Sequence, residues 1–71
     1  GTVKDEQGNP FPGVTVVVKG TIFGVETDYD GRFEINAQKG NVLLFSFTGY
    51  KPQEVIYNGQ KEINIVLKEI Y

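Results

Sequence analysis

The stretch VLLFSF, residues 42–47, decides the fold class of this 71-residue chain. An almost unbroken apolar run of this length, bounded by turn residues, is typical of a strand that neighbouring strands and a second layer cover. The run therefore predicts a central β-strand. Because successive side chains point to opposite faces of a strand, we expect Leu43, Phe45 and Phe47 to face the core.

Three other segments support an all-β chain through apolar side chains at every second position. Residues 13–19, 32–36 and 61–68 alternate in this way, and no window of eleven residues has a helical apolar period. Together with residues 42–47 they predict a mostly buried set of Val16, Val18, Phe33, Ile35, Leu43, Phe45, Ile63, Ile65 and Leu67.

Glycine, proline and asparagine separate the strands. The pair Asn58-Gly59 is the strongest hairpin signal, because both residues tolerate the positive φ of a type I′ turn. We predict seven strands, at residues 1–5, 13–19, 24–28, 32–36, 42–48, 51–57 and 61–68. Short strands at this spacing indicate a single seven-stranded antiparallel β-sandwich domain over residues 1–71.

The residue types that are missing exclude several classes of function. The chain has no His and no Cys, and Ser46 is its only serine. Nucleophilic triads need an imidazole base, and zinc sites rely on His or Cys, so we expect no enzyme activity and no catalytic, cofactor-binding or metal-binding residues. Nine acidic and seven basic residues are scattered along the chain, which argues against nucleic-acid binding. The longest apolar run is too short to span a membrane.

The segment ETDYDGRF, residues 26–33, raises the alternative of a calcium site. Glu26, Asp28, Asp30 and Gly31 match the first half of an EF-hand loop, but Ala37 occupies the position of its bidentate glutamate. We interpret the segment as a turn, in which the Asp carboxylates bond nearby backbone N–H groups and Gly31 supplies positive φ. A weak calcium site at the three carboxylates stays open as the alternative.

Over nearly its whole length the chain resembles the carboxypeptidase regulatory-like domain family. The motifs that carry the resemblance are GTVKD (1–5), GNPFPGV (8–14), VVVKGT (16–21), TD (27–28), DGRF (30–33), SFTGY (46–50) and INIVL (63–67). The combination is specific, although each motif alone is weak. The resemblance implies a transthyretin-like, seven-stranded sandwich without catalytic residues or cofactors.

The resemblance also implies a role. The motifs look most like those of the periplasmic N-terminal extension of starch-utilisation-type TonB-dependent outer-membrane transporters, so we expect a module of a larger cell-envelope protein with a protein partner. One alternative is an accessory domain of a secreted peptidase. Another is a small glycan- or peptide-binding module that uses Phe11, Phe23, Tyr29 and Tyr57. Unpaired edge strands could also accept a partner strand, but the sequence does not indicate which edge.

Overall fold

The computed structural model describes residues 1–70 and shows an all-β chain of six strands. The strands are β1 (Thr2–Lys4), β2 (Thr15–Val18), β3 (Gly24–Glu26), β4 (Val42–Ser46), β5 (Gln53–Ile56) and β6 (Asn64–Val66). They form a four-stranded sheet in the order β3-β2-β4-β5 and a two-stranded sheet of β1 and β6. No helix within residues 1–70 is long and apolar enough to cross a membrane. Tyr71, the last residue of the predicted domain, lies outside the described residues.

The stretch at residues 42–47 is the centre of the larger sheet, as predicted. Strand β4 pairs antiparallel with β2 on one side and with β5 on the other. Its inward residues, Leu43 and Phe45, are fully buried. The prediction for Phe47 is wrong: β4 ends at Ser46, the Tyr50 N–H bonds the Phe47 carbonyl in a turn, and the Phe47 side chain is 39% exposed.

Side chains from both sheets share one core. Its members are Val3, Phe11, Val14, Val16, Val18, Phe33, Leu43, Phe45, Ile65 and Leu67. Of the nine residues predicted to be mostly buried, seven belong to this core. The other two, Ile35 and Ile63, are half-buried and pack against it.

The prediction of seven strands is wrong, because residues 32–36 do not form one. Arg32 makes an isolated antiparallel bridge with Thr2, and Phe33 exchanges hydrogen bonds of 3.0 Å with Gly1. Beyond Phe33, none of the backbone hydrogen bonds between described residues involves residues 34–37. The alternating pattern of this segment correctly predicts that Phe33 faces the core. The segment lacks, however, the repeated backbone hydrogen bonds to a neighbouring strand that would define it as a strand.

Two further expectations about pairing are also wrong. The two-stranded sheet is parallel, with Val3 opposite Ile65, so the fold is not purely antiparallel. Asn58-Gly59 does not close a hairpin, because β5 and β6 belong to different sheets. Gly59 has a φ of 86°, but Asn58 does not have the positive φ that a type I′ turn requires.

Truncation of Phe45 to alanine should cost about 3–5 kcal/mol of unfolding free energy, because its ring is fully buried and packs edge-on against Phe33. Phe47→Ala is the matched control on the same run of sequence. Since Phe47 is 39% exposed and packs edge-on against Phe11 and Tyr50, its loss should be nearer 1 kcal/mol. Urea denaturation of both variants measures the difference, and equal losses would contradict the placement of Phe47 outside the core.

Candidate functional site

The acidic segment at residues 26–33 forms a tight turn at the end of β3. The Asp28 carboxylate accepts the N–H groups of Asp30 and Arg32 through its Oδ1 atom, each at 2.9 Å. The Asp28 carbonyl accepts the Gly31 N–H, and the Asp28 N–H donates to the Arg32 carbonyl, both at 2.9 Å. Asp28 is therefore a turn former, as predicted, whereas the Asp30 carboxylate accepts no such bond from residues 1–70.

Gly31 is required for two reasons. Its φ of 72° lies in the left-handed region that L-residues with a side chain rarely adopt. A Cβ atom at this position would also collide with the Val3 carbonyl and the Phe11 N–H, and both are backbone atoms. The turn thus packs directly against β1. Glu26 and Asp28 also line a groove of about 600 Å³ together with Tyr29 and Phe47.

A metal at this turn would need several carboxylate oxygens that converge on one point. Within residues 1–70, no three His, Cys, Asp or Glu side chains form a group that could hold a metal ion. Glu26, Asp28 and Asp30 therefore do not make up a preformed three-carboxylate site. The prediction that the chain binds no metal remains to be tested in solution.

Calcium should leave the melting temperature nearly unchanged, because Asp28 Oδ1 already accepts two backbone N–H groups and no three carboxylates within residues 1–70 converge on one point. A specific site saturated at 100 times its dissociation constant would instead add about 2.7 kcal/mol to the unfolding free energy. Thermal melts in millimolar calcium and in chelator make the comparison. A rise of several degrees in calcium that disappears in Asp30→Asn would show that the turn is a metal site.

Thr27, next to the turn, is a structural residue that the strand pattern did not reveal. Its side chain is buried, accepts the Val14 N–H at 2.9 Å and donates to the Phe11 carbonyl at 2.6 Å. Its backbone also exchanges hydrogen bonds with Gly13 and Val14. The sequence contained one signal, the Thr27-Asp28 pair among the family motifs, but no periodicity shows that this hydroxyl joins two segments.

Thr27→Val should cost about 2–3 kcal/mol, because it leaves a buried N–H and a buried carbonyl without partners. Thr27→Ser keeps the hydroxyl and is the matched control, with a loss of about 1 kcal/mol for the missing methyl group. Thermal unfolding gives the stabilities, and hydrogen exchange at the Val14 amide reports the local bond. Equal stability of the two variants would contradict the bridging role.

The four aromatic candidates do not form one binding surface. Phe11 is buried, with its ring centroid 4.8 Å from those of Phe47 and Tyr50 in edge-on geometry. Tyr57 is half-buried. Phe23 and Tyr29 are 69% and 94% exposed, but they line two different grooves. Phe11 is therefore a core residue, and only Phe23 and Tyr29 offer exposed rings.

Tyr50 and Ser46 are two further side chains that carry a hydroxyl group. Burial raises the pKa of the Tyr50 phenol above its usual value of 10.0, and the neighbouring Glu69 carboxylate adds to the effect. This phenol therefore stays protonated at neutral pH. Ser46 lies within β4, and the sequence contains no imidazole or thiol that could activate it.

Comparison with known proteins identifies the family. The model of the CarboxypepD_reg-like domain matches residues 1–70, so the chain belongs to this family and the resemblance found in the sequence is confirmed. The chain is 46% identical to the TonB-dependent receptor SusC of Bacteroides thetaiotaomicron over 69 residues, or 97% of the chain. It is 45% identical to TonB-dependent receptor P39 and 41% identical to P26, both of Formosa agariphila, each over 96% of the chain. It spans only 7% of the length of each of these relatives.

Proposed function

We propose that this chain is a non-catalytic β-sandwich module, folded as one domain over residues 1–71, that forms the periplasmic N-terminal extension of a TonB-dependent outer-membrane nutrient transporter. One observation carries the proposal. The chain matches TonB-dependent receptors at 46% identity over 97% of its length, and the match covers 7% of the receptor. A small module attached to a much larger protein accounts for both fractions.

The absence of reactive residue types supports a non-catalytic role. The sequence has no His and no Cys, and of its clustered carboxylates the one of Asp28 accepts two backbone N–H groups within the tight turn. Hydrolysis by paired carboxylates needs a cleft that admits a substrate between them. Glu26 and Asp28 line one groove, but with Asp28 engaged in the turn they do not form a free carboxylate pair.

The alternative of a peptidase accessory domain has less support, because the similar proteins are receptors rather than peptidases. The alternative of a small ligand-binding module is favoured by one observation, the exposure of Phe23 and Tyr29. Flat exposed rings can stack on sugars or contact a peptide. These two rings line separate grooves, which is less favourable for one ligand that needs both.

Because the chain has no cysteine, a single introduced thiol can show on which side of the outer membrane the module lies in the parent receptor. Ile22→Cys introduces a thiol at a side chain that is 98% exposed and outside the core. In cells that express the full receptor, a membrane-impermeant maleimide should label this thiol only after the outer membrane is permeabilised. The labelled species should have the size of a receptor, and the unsubstituted receptor is the control for other thiols.

Two outcomes of this labelling would overturn the proposal. Labelling in intact cells would place the module on the cell surface, and labelling only after the inner membrane is broken would place it in the cytoplasm. Deletion of residues 1–70 from the receptor completes the test, because a transport module should be needed for nutrient uptake but not for the amount of receptor in the outer membrane.

A further inference from the structure

The exposed edges of the two sheets are protected to different degrees. At the β5 edge, the Gln60 side-chain amide donates to the Ile56 carbonyl at 3.3 Å, and Pro52 lies immediately before the strand. Along β6, the Gln53 amide bonds the Val66 carbonyl and the Lys51 N–H bonds the Lys68 carbonyl at 2.9 Å. Side-chain caps and prolines of this kind are common means of blocking an edge against a further strand.

The β3 edge has no comparable protection. The Phe23 carbonyl accepts the Val18 N–H and the Thr27 N–H bonds the Val14 carbonyl, both at 3.0 Å. Because backbone groups alternate in direction along a strand, Gly24 and Glu26 direct theirs away from β2. β2 is the one strand of residues 1–70 that pairs with β3, so these outward N–H and C=O groups have no neighbouring strand.

A groove of about 550 Å³ runs beside this edge. Its lining residues are Phe23, Gly24, Val25, Glu34, Ile35 and Asn36. Val25 and Ile35 are half-buried and pack on the core, and Phe23 exposes 69% of its surface. None of the backbone hydrogen bonds between described residues involves Glu34, Ile35 or Asn36. An unpaired edge, a groove with three apolar side chains in its lining, and a segment without backbone hydrogen bonds to the described residues thus lie together.

The charges of this region indicate the chemistry of the occupant. Glu34 lines the groove, Glu26 is exposed on the adjoining edge, and no Lys or Arg lines the groove. A second copy of this chain would bring Glu26 toward another acidic edge, which is unfavourable. An extended segment that carries Lys or Arg would meet opposite charges instead.

We propose that the β3 edge and its groove bind an extended basic segment of a partner protein, which adds to the four-stranded sheet as a further strand. Its backbone pairs with Gly24 and Glu26, in the mode of strand addition used by many peptide-binding domains. One apolar side chain of the segment covers Val25 and Ile35, and its basic side chains lie opposite Glu26 and Glu34. This site is not part of the proposed transport role and does not depend on it.

Amide hydrogen exchange on the 71-residue chain tests the proposal, with a heptapeptide of alternating lysine and valine as the probe. At saturating peptide, exchange at the Gly24 and Glu26 amides should slow by about tenfold or more, because their N–H groups acquire acceptors. The outward amides of Glu54 and Ile56 on the β5 edge are the internal control and should not change. Absence of slowing at Gly24 and Glu26, or equal slowing at both edges, would overturn the proposal.

Charge reversal tests the chemistry of the partner separately from the edge. The double variant Glu26→Lys and Glu34→Lys changes two exposed side chains outside the core, so the fold should be retained. It should weaken binding of the lysine–valine peptide by roughly three- to tenfold and strengthen binding of a glutamate–valine peptide. Unchanged affinities would contradict a basic partner. If exchange at Gly24 and Glu26 is already slow without peptide, and becomes slower as the protein concentration is raised, the edge binds a second copy of the chain instead.

Discussion

The structure depends above all on the burial of one face of β4. Leu43 and Phe45 are fully buried, and β4 has β2 on one side and β5 on the other. The Phe45 ring meets Phe33 at a centroid distance of 5.3 Å, which ties the four-stranded sheet to the segment that bridges β1. A chain of 71 residues without cysteine has no disulfide to stabilise it, so its stability comes from this one core.

A second constraint follows from the small size of that core. The chain leaves the four-stranded sheet after β3 and reaches β1 within a few residues, through the turn at Asp28–Arg32. Only glycine fits at position 31, and the Thr27 hydroxyl satisfies buried backbone groups of two segments. The most acidic stretch of the chain therefore serves the connection between sheets. Glu26, at the start of this stretch, also lies on the exposed β3 edge.

This arrangement suits a module within a longer protein. The core consists of apolar side chains, and the sequence contains no His and no Cys. Three of its strand edges differ in how they are protected, and the least protected one lies beside an apolar groove with acidic residues nearby. Recognition through backbone pairing needs only a rigid edge with a few side chains beside it.

The sequence by itself determined the all-β class, the family, the central position of residues 42–46, the inward face of most strands and the turn at Asp28. Each of these depends on neighbours in the chain or on a motif, because alternation along a strand assigns faces locally.

Only the tertiary structure decided that β1 and β6 pair in parallel and that Asn58-Gly59 joins two sheets. It alone decided that residues 32–36 do not pair as a strand and that the Phe47 side chain is partly exposed. It also decided that the outer edge of β3 has no neighbouring strand within residues 1–70. Strand partners are chosen by hydrogen bonds and packing between residues far apart in the chain, and local periodicity contains no information about them.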